Sequence, residues 1–331
     1  MAYDVAYHVF DRKLLTHQIV PFLMGEIPSI QPIITRLSEV RINRFIANQY
    51  AGKIVATLTE LAQDDSIDGR ASLKKLAEDF DPFWYIWGRP FFVTETDDKK
   101  IVEIIDQYLQ ANPGSVEAII KNQMNNIHPL LSKHIKVSDE DLAECPSLDE
   151  LKQTLTNDAN LIKKVVYAAL HQQPFISDDG KEYDPKRQLN NPFILLELLA
   201  LGLPAWMDRG LINPSELIIN SGLEMPAFAR SASCLLHPLD EMLMLDDSQI
   251  LFPCNYSLGM VVLPENVEEF RDYFQQNNSH FYSYLIGQQC EPYDANLILK
   301  KINEAIMYAC QKKFLFVEST EIFSGIMGVA A

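Results

Sequence analysis

Apolar and polar residues alternate at the start of the chain. Tyr3, Val5, Tyr7 and Val9 fall on one face, and Asp4, Ala6 and His8 on the other, a period of two that marks a strand. A helical reading would line up Asp4, His8 and Asp11 instead, but β-branched and aromatic residues at the repeating positions favour the strand. The period then lengthens. Ile33, Leu37, Val40, Ile46, Tyr50, Ile54, Leu58 and Leu61 recur mostly at three- and four-residue spacing behind Pro32, which suits a first helical turn. Further helices are expected at 71–80, at 101–108 behind the cap Thr96-Asp97-Asp98, at 115–128 and at 157–171. Ser147 and Glu150 have capping-box spacing ahead of another at 151–155.

Residues 173–191 break this rhythm with a polar run rich in Asp, Gly, Pro and Lys. A loop of that length is functional or a joint between domains. Helices resume at 193–201, 215–220 and 227–245, then at 265–274 and 294–310. Between and after these last lie short apolar runs bounded by Pro and Gly, at 250–252, 260–263 and 314–317, which read as strands. A lone N-terminal strand has unmet backbone hydrogen bonds and can find partners there. The expected fold is therefore α+β and predominantly α-helical: a helical bundle region plus a small, mostly antiparallel sheet formed by the N-terminal strand and the C-terminal strands. The expected organisation is a helical region over 1–172, the polar joint at 173–191 and a helical then α+β region over 192–331, with one continuous domain as the alternative.

A chain of 331 residues, 47% hydrophobic and 22% charged, has the composition of a folded protein. Its net charge of -17 repels phosphate backbones, and its longest basic runs are pairs such as Lys99-Lys100, so nucleic acid is not expected as a partner. The most apolar run, at 192–206, is too short to span a bilayer and contains Glu197 and Gly202, so no membrane is expected either. The N-terminus lacks the pattern of a secretory signal, and five widely spaced cysteines form no C-x-x-C pair, which together suggest a reduced, cytoplasmic protein.

Dinucleotide, P-loop, α/β-hydrolase and zincin signatures are all absent from the sequence. No cofactor is expected. The stretch DPFWYIWGRPFF at 81–92 is half aromatic. Phe83, Trp84 and Trp87 with Arg89 have the chemistry to hold a planar or anionic ligand, although filling a core is the commoner use of such rings. In HPLDE, His237 lies three and four residues from Asp240 and Glu241 on an expected helix. That is half of a hydrolytic metal site, which a distant histidine such as His8 would have to complete. Cys234, three residues before His237, sits among small and apolar residues as an inert thiol would. The acidic run SDDGKEYD lacks the ligand rhythm of a calcium loop.

Three functions follow. The first is a non-enzymatic interaction protein whose partner is another protein, basic in charge. The alternatives are a metal-dependent hydrolase with a dispersed His/Asp/Glu site and a small-molecule binder built on the aromatic stretch.

Overall fold

The computed structural model describes residues 5–81, 89–191, 194–195, 198, 206–245 and 258–320. The fold is α+β and dominated by helices, with a small antiparallel sheet, as the apolar periodicity predicts. Two compact units are distinguishable: one holds residues 38–147, the other the residues on either side.

The outer residues build the sheet. Its strands are β1 (Val5–Phe10), β4 (Trp206–Gly210), β5 (Ala229–Arg230), β6 (Leu258–Val262) and β7 (Leu315–Thr320), in the spatial order β4-β1-β7-β6-β5, every pair antiparallel. The expected partnership of the two ends is thus real, with Tyr7 opposite Glu318 and Val9 opposite Phe316. A separate hairpin joins β2 (Phe175–Ile176) to β3 (Glu182–Tyr183). Its turn uses Gly180 at φ +80°, a left-handed conformation that glycine adopts without steric cost. The strand expected at 250–252 lies outside the described residues.

Both faces of β1 and β7 are buried. On one face Phe10, Leu315 and Val317 join an apolar cluster with residues from 15–37, 155–175 and 232–245. On the other, Phe316 lies 5.2 Å from Phe270, which meets Phe274 at 5.0 Å. Double coverage explains why the polar positions of these strands, His8, Glu318 and Ser319, are also inside.

Among the described residues, the α-helices of five or more residues run α1 (Gln31–Gly52), α2 (Ile54–Gln63), α3 (Arg70–Asp79), α4 (Asp98–Gln110), α5 (Val116–Ile127), α6 (Leu148–Leu170), α7 (Pro185–Leu189), α8 (Pro214–Asn220), α9 (Leu239–Leu243), α10 (Val267–Gly287) and α11 (Pro292–Lys312). Asp97 caps α4 by accepting from the Lys100 amide, as its sequence suggests. The two helices expected at 151–155 and 157–171 are one, α6. Asn157 cannot end a helix whose Leu155, Ala159 and Ile162 continue a single buried stripe.

The helix expected at 227–245 does not form. Strand β5, a 3-10 turn (Ala232–Leu236) and α9 replace it, with a cis His237–Pro238 bond between the last two. A proline inside the pattern removes an amide donor, and Ala229 and Arg230 pair with β6. Sheet pairing outcompetes a continuous helix here.

In the other unit, Phe91 stacks on Tyr108 at 4.7 Å, and the Tyr108 hydroxyl donates to the Phe92 carbonyl. Asn43 donates to the carbonyl of Ala111 at 2.7 Å, holding α1 to the end of α4. Tyr50 donates to Glu117 across to α5. Among the described residues no helix is long and apolar enough to cross a membrane.

Candidate functional site

An open concavity on the larger unit lies between α6 and the β2–β3 hairpin. It is a groove of about 930 Å³, floored by Asn157, Asn160, Lys164 and Tyr167 of α6 and walled by Phe175 and Ile176. Their spacing on α6 places them along one side of the helix, while the stripe from Leu155 to Val166 faces the core. Phe175 anchors the hairpin in that core, which leaves its neighbour Ile176 pointing outward by strand alternation.

A second depression of about 750 Å³ adjoins the first through Gln173 and Pro174 and is edged by Glu182, Tyr183 and Lys186. Tyr167 is 56% exposed and Ile176 58%, where single large apolar groups are ordinary but a group of them around a groove is not. The Tyr167 ring stacks on His171 at 4.0 Å, which fixes its orientation.

The groove's lysines are engaged. Lys163 lies 4.2 Å from the Phe22 ring centre, and Lys164 is 3.7 Å from Asp178. Asp179, next to the groove, is paired with Lys181 at 2.6 Å, and hydrogen bonds from Lys181 and Ser177 hold its carboxyl below the usual range. The acidic run SDDGKEYD is therefore a braced hairpin turn.

The residues singled out from the sequence fall elsewhere. Phe83, Trp84 and Trp87 lie outside the described residues. Arg89 is buried, and its guanidinium donates to the Glu95 carbonyl at 2.9 Å and to that of Val93. Those bonds make it a brace for the chain that follows.

His237 does meet both carboxylates, 3.3 Å from Asp240 and 3.6 Å from Glu241. The contact spans a turn, since His237 precedes α9. Burial raises the Asp240 carboxyl above its ordinary range, and the neighbouring imidazole partly offsets this. His8 is on β1, with Nε2 2.9 Å from the Ser319 hydroxyl. Among the described residues, no group of three or more His, Cys, Asp or Glu side chains is placed to hold a metal ion.

Tyr167, Ile176 and Tyr183 are the surface residues that sequence reasoning passed over. The available signal was an aromatic residue at the end of α6 followed by a polar run too long for a plain connection.

No protein family matches the chain, no curated protein is similar to it, and no solved structure matches its fold.

Proposed function

We propose that this protein is a non-enzymatic interaction protein that seats an extended, basic segment of a protein partner in the groove between α6 and the β2–β3 hairpin. The observation that carries this reading is the pair of exposed side chains, Tyr167 on the α6 side and Ile176 on the hairpin side, lining one open groove. Apolar side chains of an extended segment would cover them, and the unpaired edge of the hairpin offers main-chain groups to such a segment.

Charge supports a basic occupant. The two depressions together carry Asp158, Asp178, Glu182 and Asp184 against Lys163, Lys164 and Lys186, one acid in excess. The net charge of -17 would steer a cationic segment toward the molecule and speed its association. The tyrosine faces suit Lys or Arg side chains. Among the described residues no cysteine is joined in a disulfide, in keeping with a reducing, cytoplasmic setting.

The test is a fluorescence titration against a panel of ten-residue peptides alternating Lys or Arg with Leu or Phe, with acidic and scrambled peptides as controls. Micromolar binding of basic members that weakens with salt, and that Tyr167→Ser lowers at least tenfold, is expected. Failure of every basic peptide, or binding indifferent to Tyr167→Ser, would refute the proposal.

A further inference from the structure

Glu318 is a carboxylate in the middle of the sheet, fully buried on β7. Its three donors come from two other elements. One oxygen accepts from the Met260 amide of β6 at 2.8 Å and from the Ser215 hydroxyl; the other accepts from the Ser215 amide of α8 at 2.9 Å. The Met260 donor exists because the β6–β7 register shifts between Leu258 and Val261. A bulge of this kind takes an amide out of the ladder, and Glu318 receives it.

The same segment has a second tether. The Tyr7 hydroxyl donates to the Ile212 carbonyl at 2.7 Å, two residues before α8 begins. Tyr7 is opposite Glu318 in the register, so neighbouring strands hold residues 212–215 by one neutral bond and one set of ionisable ones.

We propose that Glu318 is a proton-operated catch, its protonation state setting how firmly the start of α8 and the bulged strand β6 are held to β7. A carboxylate that accepts three hydrogen bonds is a strong acceptor, and its neutral form is a weaker one. Burial raises the Glu318 carboxyl to about 7, against the lowering effect of the bonds from Ser215 and Met260. Glu216 on α8 adds to the rise. Of the other titratable groups on packed elements, the Tyr7 hydroxyl is engaged with Ile212, and Lys301, Glu304 and Tyr308 lie on the buried side of α11. The catch therefore changes state close to neutrality.

Two effects of opposite sign follow. The folded chain binds this proton more tightly than the unfolded chain. Its contribution to global stability is complete below the ordinary value of 4.5 and is lost as pH rises through about 7. Between pH 5 and pH 8 the unfolding constant should rise on the order of 50-fold from this group alone. The local hold on α8 moves the other way and loosens as pH falls.

Carbon-13 titration of the Glu318 carboxyl in the full chain, with hydrogen exchange at the Ser215 and Met260 amides, tests the inference directly. The expected result is a midpoint between about 6 and 8, and protection factors of those two amides, each taken against the intrinsic exchange rate at the same pH, that fall several-fold below it while amides of the β1–β7 ladder keep theirs. Ser215→Ala should move the midpoint upward. A midpoint below about 5, or exchange at Ser215 and Met260 that ignores the titration, would overturn it. The wild-type measurement stands even where a variant fails to fold.

Discussion

The doubly covered sheet and the groove beside α6 treat polar and apolar groups in opposite ways. In the sheet a carboxylate is surrounded by apolar layers, with donors from Ser215 and Met260 filling both its oxygens. In the groove, apolar side chains are surrounded by water, and Tyr167 and Ile176 have only partial cover. Glu318 has its hydrogen bonding completed within the chain, whereas the groove has contacts left to make. An outside partner is better sought at the second kind of place, even though the first holds the more perturbed group.

Substitutions sharpen that contrast. The largest loss is expected from Phe270→Ala, which removes a ring packed on Phe228, Phe274 and Phe316; about 3–5 kcal/mol should disappear in urea unfolding. Gly210→Ala comes next. An added Cβ would lie 2.3 Å from the Tyr7 ring, and that ring is held by its bond to Ile212, so about 1–3 kcal/mol of overpacking strain is expected. Tyr108→Phe in the smaller unit leaves the buried Phe92 carbonyl without its donor, costing about 1–2 kcal/mol. Tyr167→Ser should change stability by less than about 0.5 kcal/mol while removing peptide binding. A large stability loss from Tyr167→Ser would show the groove to be structural and erase the distinction between the two regions.

Periodicity made much of this fold legible. The alternation around Tyr7 and Val9 predicted β1, and the stripe from Ile101 to Tyr108 predicted α4. The expected pairing of the chain's two ends rested only on the unmet hydrogen bonds of a lone strand. Patterns failed where a hydrogen-bond partner that periodicity does not mark decided the outcome. Ala229 and Arg230 belong to an apolar run that suits a helix, but β6 recruits them into the sheet. Arg89 looks like a ligand-binding cation until the Glu95 carbonyl is seen to receive it. The groove was legible only as the interruption at 173–191; its shape depends on Phe175 docking against α6, which spacing along the chain does not encode.

The place of β1 between β4 and β7 has a consequence for biosynthesis. The hydrogen bond between His8 and Ser319 closes a separation of 311 positions. At roughly 5–20 residues per second, a ribosome needs about 15–60 s to deliver that partner. During that interval one edge of β1 can be covered by β4, but the other must wait for β7. The nascent chain thus carries an open strand edge throughout that interval, and this is the period when a chaperone has something to shield.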